Sequence, residues 1–392
     1  MFEKIQRKID VLYDIVYVIK NARMAKRIRS GESISIESIK KTLLPLLKLP
    51  GLTKEQFMKV QDYYYPYKVS TLLHRQITDI NGNFREDYLP SEMYYAYIDP
   101  YLNDKKKGAG LENKCLFPKL FAGINQPQSI AYRMNGMWLD EDYSLITSDD
   151  LVRILSKEKD VFIKKADDSY GGIGVRHLKI QDNIPLSKTL KNIIGEIHGD
   201  IIIQRSLHQH KEMARLNPNS VNTLRIVSLL TKDGVKILGS ILRCSSDEKS
   251  VDNITSGGIM CYADEKGCLK KYGYSFKKKF ETHPLTKIRF EGFRIPSYDK
   301  VIELVRKAHP MLPYFRFVGW DIAIGEDGEP VLIEANLCTT GIETIQMGGI
   351  SPIFGDDTKK IISEALKNTD YPKRHKRRCS HECRKGCRKK KT

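Results

Sequence analysis

Val318-Gly-Trp-Asp-Ile-Ala-Ile-Gly-Glu-Asp-Gly-Glu-Pro-Val-Leu-Ile-Glu-Ala-Asn336 contains two apolar runs separated by a polar turn. At its centre stands Asp327-Gly328, a dipeptide favoured in two-residue hairpins because both central positions need positive φ. A turn centred there pairs Glu326 with Glu329 and sets Asp321 opposite Glu334, with Asn336 two residues along the same face. Carboxylates opposed across an apolar ladder, with Cβ atoms about 5 Å apart, repel each other unless positive charge lies between them. Oxygen donors from two carboxylates and an amide suit a hard cation, and Mg²⁺ that shares phosphate oxygens with a ligand needs only one or two protein carboxylates. The bland alternative, solvated residues on an exposed hairpin face, stays open on this stretch alone.

Upstream, Val161-Phe-Ile-Lys-Lys-Ala-Asp-Asp-Ser-Tyr-Gly-Gly-Ile-Gly-Val175 reads as strand, polar turn, glycines and strand. It lacks the Gly-Lys-Ser/Thr of a P-loop, and its glycines do not open a helix as a dinucleotide fingerprint requires. What remains is a glycine-rich hairpin, in which backbone N–H groups approach phosphate oxygens closely. Ser169 adds a hydroxyl donor, and Lys164 and Lys165 point to opposite faces, so one of the two reaches the same phosphates. An ordinary surface hairpin is the competing reading.

The formal charge of +18 raises the question of a nucleic-acid partner, and its distribution answers against one. Residues 371–392 carry eleven Lys and Arg against one acid, and residues 1–29 carry eight against three, which leaves only +3 for everything between. That balance fits a small-molecule enzyme with two basic appendages. The chain is long enough for two or three packed lobes. No apolar run approaches a membrane span and no secretory signal is evident, so the cytoplasm is the expected compartment. Phe2, Ile5, Ile9, Leu12, Val16 and Ile19 recur at helical spacing, which predicts an amphipathic helix that docks on the protein or lies peripherally on the inner, anionic membrane face. Cys115, Cys244, Cys261, Cys268 and Cys338 fall in core-like segments and are read as small hydrophobes. Cys379, Cys383 and Cys387 recur every four residues in the basic tail, a spacing wider than common zinc pairs, so the tail is expected to be disordered.

Residues 1–87 are expected to be helical, and Asn103 to Gly110 is read as a flexible run without chemistry. From Lys114 onward, β-rich runs at 161–165, 175–180, 201–204 and 224–230 alternate with helical segments at 148–157, 299–308 and 358–367. The expected class is α+β, with some α/β character.

Several spaced motifs together resemble the ATP-grasp superfamily, and within it the sugar-transfer-associated and teichuronopeptide-type branch. They are Asn113-Lys114, Gly123-Ile-Asn-Gln-Pro127, the glycine hairpin, Ile203-Gln-Arg-Ser-Leu-His208, Ser220-Val-Asn-Thr-Leu-Arg225, Asp252-Asn253 before Gly257-Gly258, Gly319-Trp-Asp321 and Glu334-Ala-Asn336. The resemblance runs from about Tyr88 to Phe354 and implies an ATP-grasp fold, with ATP held between two α+β lobes. The division it implies is a helical region over 1–87, a pre-grasp segment and lid over 88–205, a metal-bearing subdomain over 206–370, and the tail. It further implies that Lys114, Lys164, Ser169, Gly171, Gly172 and Gly174 face phosphates, that Gln204, Arg205, Ser206 and Leu207 form the hinge at adenine, and that Lys164 and Arg225 serve catalysis. Asp321, Glu334 and Asn336 would hold Mg²⁺, with Glu334 bridging two ions. Lys165 stands where the family often has proline, so the choice between Lys164 and Lys165 stays open.

Such a site phosphorylates a carboxylate and joins the acyl phosphate to an amine, with no covalent protein nucleophile. The branch points to sugar-linked substrates in cell-surface polysaccharide biosynthesis. Two rivals are a kinase of the same fold that stops at phosphorylation, and a nucleotide-binding protein whose basic tail binds membrane, polyanion or nucleic acid. His208 and His210 are read as capping or packing groups.

Overall fold

The computed structural model describes residues 49–371 and Lys373, except 168–173, 181–184, 248–256, 277 and 339. The amphipathic segment Phe2 to Ile19, the tail cysteines, Ser169, Gly171, Gly172 and Asp252-Asn253 lie outside the described residues. Of the expected cysteine core, Cys115, Cys244 and Cys261 are buried, while Cys268 and Cys338 are only partly so.

The alternating apolar runs become antiparallel strands. Among the described residues, β1 (Ser129–Met134), β2 (Met137–Asp140), β3 (Leu145–Ile146), β4 (Asp160–Lys165), β5 (Val175–Lys179) and β6 (Ile201–Arg205) form one sheet in the order β3-β2-β1-β6-β4-β5. A second sheet contains β7 (Thr223–Thr231), β8 (Gly234–Cys244), β9 (Ile259–Ala263), β10 (Leu269–Tyr274), β11 (Lys279–Phe280), β12 (Phe317–Ile324) and β13 (Pro330–Asn336) in the order β11-β10-β9-β8-β7-β12-β13.

Helices form where capping and periodicity agree. Helix α1 (Lys54–Tyr63) starts at a capping box in which Thr53 Oγ1 accepts from the Gln56 N–H and Gln56 Oε1 accepts from the Thr53 N–H. Helix α2 (Leu72–Asn81) ends at Gly82, whose φ of +76° suits glycine. The run expected to be flexible instead contains helix α3 (Lys105–Leu111), capped by the Asp104 carboxylate on the Lys106 N–H. The reason is tertiary: the buried Lys105 ammonium lies 2.6 Å from the buried Asp99 carboxylate, and Asn103 exchanges hydrogen bonds with both the N–H and the carbonyl of Phe317.

Helices α4 (Ser148–Leu155) and α5 (Leu186–Glu196) cover one face of the smaller sheet, where Leu151, Leu155 and Leu190 pack on Val161, Ile163, Ile201 and Ile203. On the larger sheet, helix α6 (Tyr298–Ala308) covers one face through Val301, Leu304 and Val305 against Trp320, Ile322 and Ile226. The other face is divided. Val227, Leu229 and Phe317 pack against the preceding helical region and against helices α7 (Ile342–Met347) and α8 (Thr358–Leu366), while Arg225 and Asp321 stand on the same face further along.

The β12–β13 hairpin reaches its expected pairing by an unexpected route. Asp321 does oppose Glu334, yet the loop has three residues rather than two: Gly325 pairs with Glu329, and Gly328 takes φ +81°. That extra residue displaces the register by one. A bulge at Ile333 restores it, since Ile322 pairs with Leu332 but Asp321 pairs with Glu334. The bulge also turns Glu334 and Asn336 away from the core that holds Leu332 and Ala335.

A polar chain crosses the core behind this face. The Trp320 indole N–H donates to Ser228 Oγ (2.7 Å), Ser228 Oγ meets His309 Nδ1 (2.8 Å), and His309 Nε2 meets the Phe315 carbonyl (2.9 Å). Burial holds His309 neutral, with its pKa pushed down to about 4. Between pH 6.5 and 4 the unfolded chain therefore binds a proton that the folded chain refuses, so folding stability falls as pH drops through this window, by about 1.4 kcal/mol per unit for this group. Urea midpoints measured across that range should show a shallower decline in His309→Gln than in the parent; equal slopes would contradict this assignment.

Candidate active site

Strand alternation settles which lysine faces the space between the sheets. Val161, Ile163 and Ile201 belong to the helix-covered face of the small sheet, and Lys165 pairs with Ile201. Lys164 pairs with Ile202 on the opposite face, where its ammonium donates to Gln204 Oε1 at 2.9 Å. Lys165 lies 3.9 Å from Asp167 and against Gly174, whose φ of +78° places it where a Cβ would crowd the Lys165 side chain. Burial, reinforced by the neighbouring Lys114 ammonium and opposed by Glu334, lowers the Lys164 pKa to about 8.

Lys114 precedes β1 and is held to the small sheet by its N–H donating to the Ala166 carbonyl. Its ammonium reaches across to β13 and donates to Glu334 Oε1 at 2.8 Å. This ion pair joins the two sheets at the place where the expected phosphate and metal residues converge.

On the larger sheet Asp321 is paired with Arg225 across β12 and β7. Arg225 donates from Nε and Nη2 to the two Asp321 oxygens at 2.6 and 3.0 Å, and Arg243 Nη1 lies 3.1 Å from both. Burial alone would raise the Asp321 pKa, but the two guanidiniums override it and hold the carboxyl at about 2. Arg225 also donates from Nη1 to the Thr340 carbonyl at 3.0 Å and lies over Gly319, where a Cβ would sit 3.2 Å from its Cδ. Arg243 and Thr340 were not among the residues read from sequence. Arg243 is legible only through register, since it opposes Thr223, two residues before Arg225.

Asn336 donates its amide N–H groups to the Gly319 carbonyl and to Asp321 Oδ2, which directs its Oδ1 elsewhere. Glu334, Asn336 and Asp321 share one face and offer only oxygen donors, a set suited to Mg²⁺. Among the described residues no cluster of three His, Cys, Asp or Glu side chains would hold an ion unaided. The oxygen set fits a cation that is completed by ligand oxygens, with Glu334 Oε1 held by Lys114 and Asp321 tied to two arginines.

The residues expected to form the hinge divide. Gln204 faces Lys164, whereas Arg205 forms a bidentate pair with Glu158 and Ser206 Oγ donates to Asp160. Residues 208–210 then dock on the hairpin: the Glu326 N–H donates to the His208 carbonyl at 2.9 Å and the His210 N–H to the Ile324 carbonyl at 2.8 Å. His210 Nδ1 accepts from the Glu212 N–H, a capping role. A cavity of about 570 Å³ lies between Asn125–Gln128, Arg205–His208 and Gly325–Asp327. Asn125 closes the free edge of β13, its carbonyl accepting from the Leu332 N–H at 2.8 Å.

The depressed pKa makes Lys164 testable as an anion contact. Affinity for a nucleoside triphosphate should be flat below pH 8 and weaken above it, because the free ammonium discharges there while a bound phosphate keeps it charged. Calorimetric titrations from pH 7 to 9.5 should show this decline in the parent and lose it in Lys164→Arg.

The chain has been compared with known proteins. A family model described as sugar-transfer associated ATP-grasp matches residues 92–360. No curated protein matches the chain. Among solved structures, ATP-grasp ligase PsnB, complexed with a phosphomimetic variant of its minimal precursor, Mg and ADP, is similar with a TM-score of 0.40 and 12% identity, over 67% of this chain and 61% of that one. The D-alanine-D-alanine ligase from Coxiella burnetii has a TM-score of 0.38 and 9% identity, over 68% of this chain and 59% of that one. The L-amino acid ligase from Bacillus licheniformis has a TM-score of 0.34 and 10% identity, over 62% and 43%. This chain thus spans less than two thirds of the length of each of these proteins. The match over residues 92–360 covers well over half of the sequence: the chain belongs to the sugar-transfer associated ATP-grasp family.

Proposed function

We propose that this protein is an ATP- and Mg²⁺-dependent ligase that joins a carboxylate to an amine through an acyl phosphate. The observation that carries this reading is the convergence of Lys114 and Lys164 from one sheet with Arg225 and Arg243 from the other around Glu334 and Asp321. Four cations against two carboxylates leave a net positive cradle suited to a triphosphate and to the charge that shifts between its oxygens.

Each residue has a task that its environment explains. Lys164, desolvated but charged at neutral pH, supplies a point charge to phosphate oxygens. Arg225 is oriented by Asp321 and the Thr340 carbonyl and faces the transferring phosphoryl group and the acyl phosphate. Asp321 keeps the two arginines apart and aligned, while Glu334 and Asn336 offer the open oxygens for Mg²⁺. When bound, Mg²⁺ supplies charge neutralisation between phosphate oxygens and the attacking carboxylate. Ser169, Gly171, Gly172 and Gly174 belong in this reading to a loop over the phosphates, and Gln204 to Leu207 to the adenine contact. Lys114 would exchange Glu334 for phosphate as the ligand enters, which frees that carboxylate for one or two ions.

The family's description as sugar-transfer associated supports a sugar-linked or similar carboxylate and a role in surface-polysaccharide biosynthesis. No helix of the described residues is long and apolar enough to cross a membrane. Cytoplasmic ATP chemistry, with the basic termini resting on an anionic membrane face, is the arrangement we favour.

Thermal unfolding tests the nucleotide and ion together. Mg²⁺ and ATP at a hundred times the dissociation constant should add about 2.7 kcal/mol, a rise of several degrees for a chain of this size. The rise should disappear in Asp321→Asn/Glu334→Gln. Among candidate substrates, ADP release that needs both a carboxylate and an amine identifies a ligase; release with a phosphate acceptor alone would identify a kinase instead.

A further inference from the structure

We propose that helix α3 is a polar clamp that fixes Arg225 through the segment leaving β13, with Lys105 and Glu112 as its positioning residues; the role rests on the phosphate-facing reading of Arg225 given above. The Lys105 ammonium donates to the Leu337 carbonyl (2.7 Å) and the Cys338 carbonyl (3.2 Å). Glu112 Oε1, at the other end of the helix, accepts from the N–H groups of the same two residues at 2.6 and 2.8 Å. Two consecutive residues are thus held at both their N–H and their carbonyl groups by charged side chains at the two ends of one short helix, the stronger class of hydrogen bond.

Two residues further on, the Thr340 carbonyl accepts from Arg225 Nη1, and the Thr340 hydroxyl lies 2.7 Å from the Tyr94 hydroxyl. Leu337 and Cys338 are therefore tied to α3, and Thr340 is tied to the arginine. Lys105 has no capacity for a ligand: its three N–H groups are engaged by Leu337, Cys338 and Asp99, and its side chain is 8% exposed. It acts through the segment it holds.

Gly108 supports the same assignment independently. Glycine is a poor choice for a helix interior, yet a Cβ at Gly108 would overlap the Cys338 Sγ. The helix carries glycine there, and the Cys338 sulfur lies where a Cβ would project.

The test is calorimetric titration of the full chain with Mg-ATP and with Mg-ADP, in the parent, Lys105→Met, Glu112→Gln, Gly108→Ala and Gly108→Ala/Cys338→Ala, alongside each protein's unfolding midpoint. The ATP-to-ADP affinity ratio reports contact with the terminal phosphate. It should fall about tenfold in the three single variants, as expected for an anchor displaced by a fraction of an ångström, while ADP affinity holds. Removing the Cys338 sulfur should restore the ratio in the double variant. A folded Gly108→Ala with the parent's ratio, a double variant that stays impaired, or a parallel loss of ATP and ADP binding would each overturn the clamp. A parent that binds neither nucleotide would overturn the reading of the site itself and the clamp with it.

Discussion

The organisation of the site depends on one buried carboxylate. Asp321 stands on a sheet of apolar residues and is almost removed from solvent, a position in which an unpaired charge would neutralise or destabilise the fold. Two guanidiniums from β7 and β8 satisfy it and hold its pKa at about 2. The consequence runs both ways: the carboxylate keeps its charge, and the arginines lose their freedom. Arg225 in particular is fixed at three of its nitrogens, by both Asp321 oxygens and by a backbone carbonyl. A charge fixed in advance needs no reorganisation to meet an anion.

Division of faces is the second requirement. A sheet covered on both sides by apolar residues has no place for such a group, and on β7 and β12 the second core ends at Val227 and Phe317. The bulge at Ile333 does the corresponding work on β13. Without it, a carboxylate two residues past Leu332 would point into the core that holds Leu332; with it, Glu334 joins Asp321 on the open face.

The contribution of residues 103–112 shows how a segment without a motif acquires a role. Its lysines and glycines read as a solvated, flexible run, since nothing local tells a buried lysine from an exposed one. Lys105 is buried because Asp99 and two carbonyls more than two hundred residues away accept its hydrogen bonds, and a sulfur from the same distant strand end lies against Gly108, where a Cβ would project. These contacts join elements that only the completed sheet brings together.

Local pattern was enough for much of the rest. Alternation and turn chemistry marked the strands around 161–165, 201–204 and 224–230, and helical periodicity marked 148–157, 299–308 and 358–367, where helices form over 148–155, 298–308 and 358–366, because each element's apolar face must match its own period. Spaced motifs carried the family, and the opposition of Asp321 and Glu334 could be counted from the turn. That count came out right although the turn was one residue longer than expected, because the bulge removed what the loop had added. The choice of Lys164 over Lys165, the second arginine at Asp321 and the ion pair from Lys114 to Glu334 lay beyond such counting. Each depends on which face a neighbouring strand or a second sheet covers, and burial and pairing between residues distant in the chain exist only once the tertiary structure has formed.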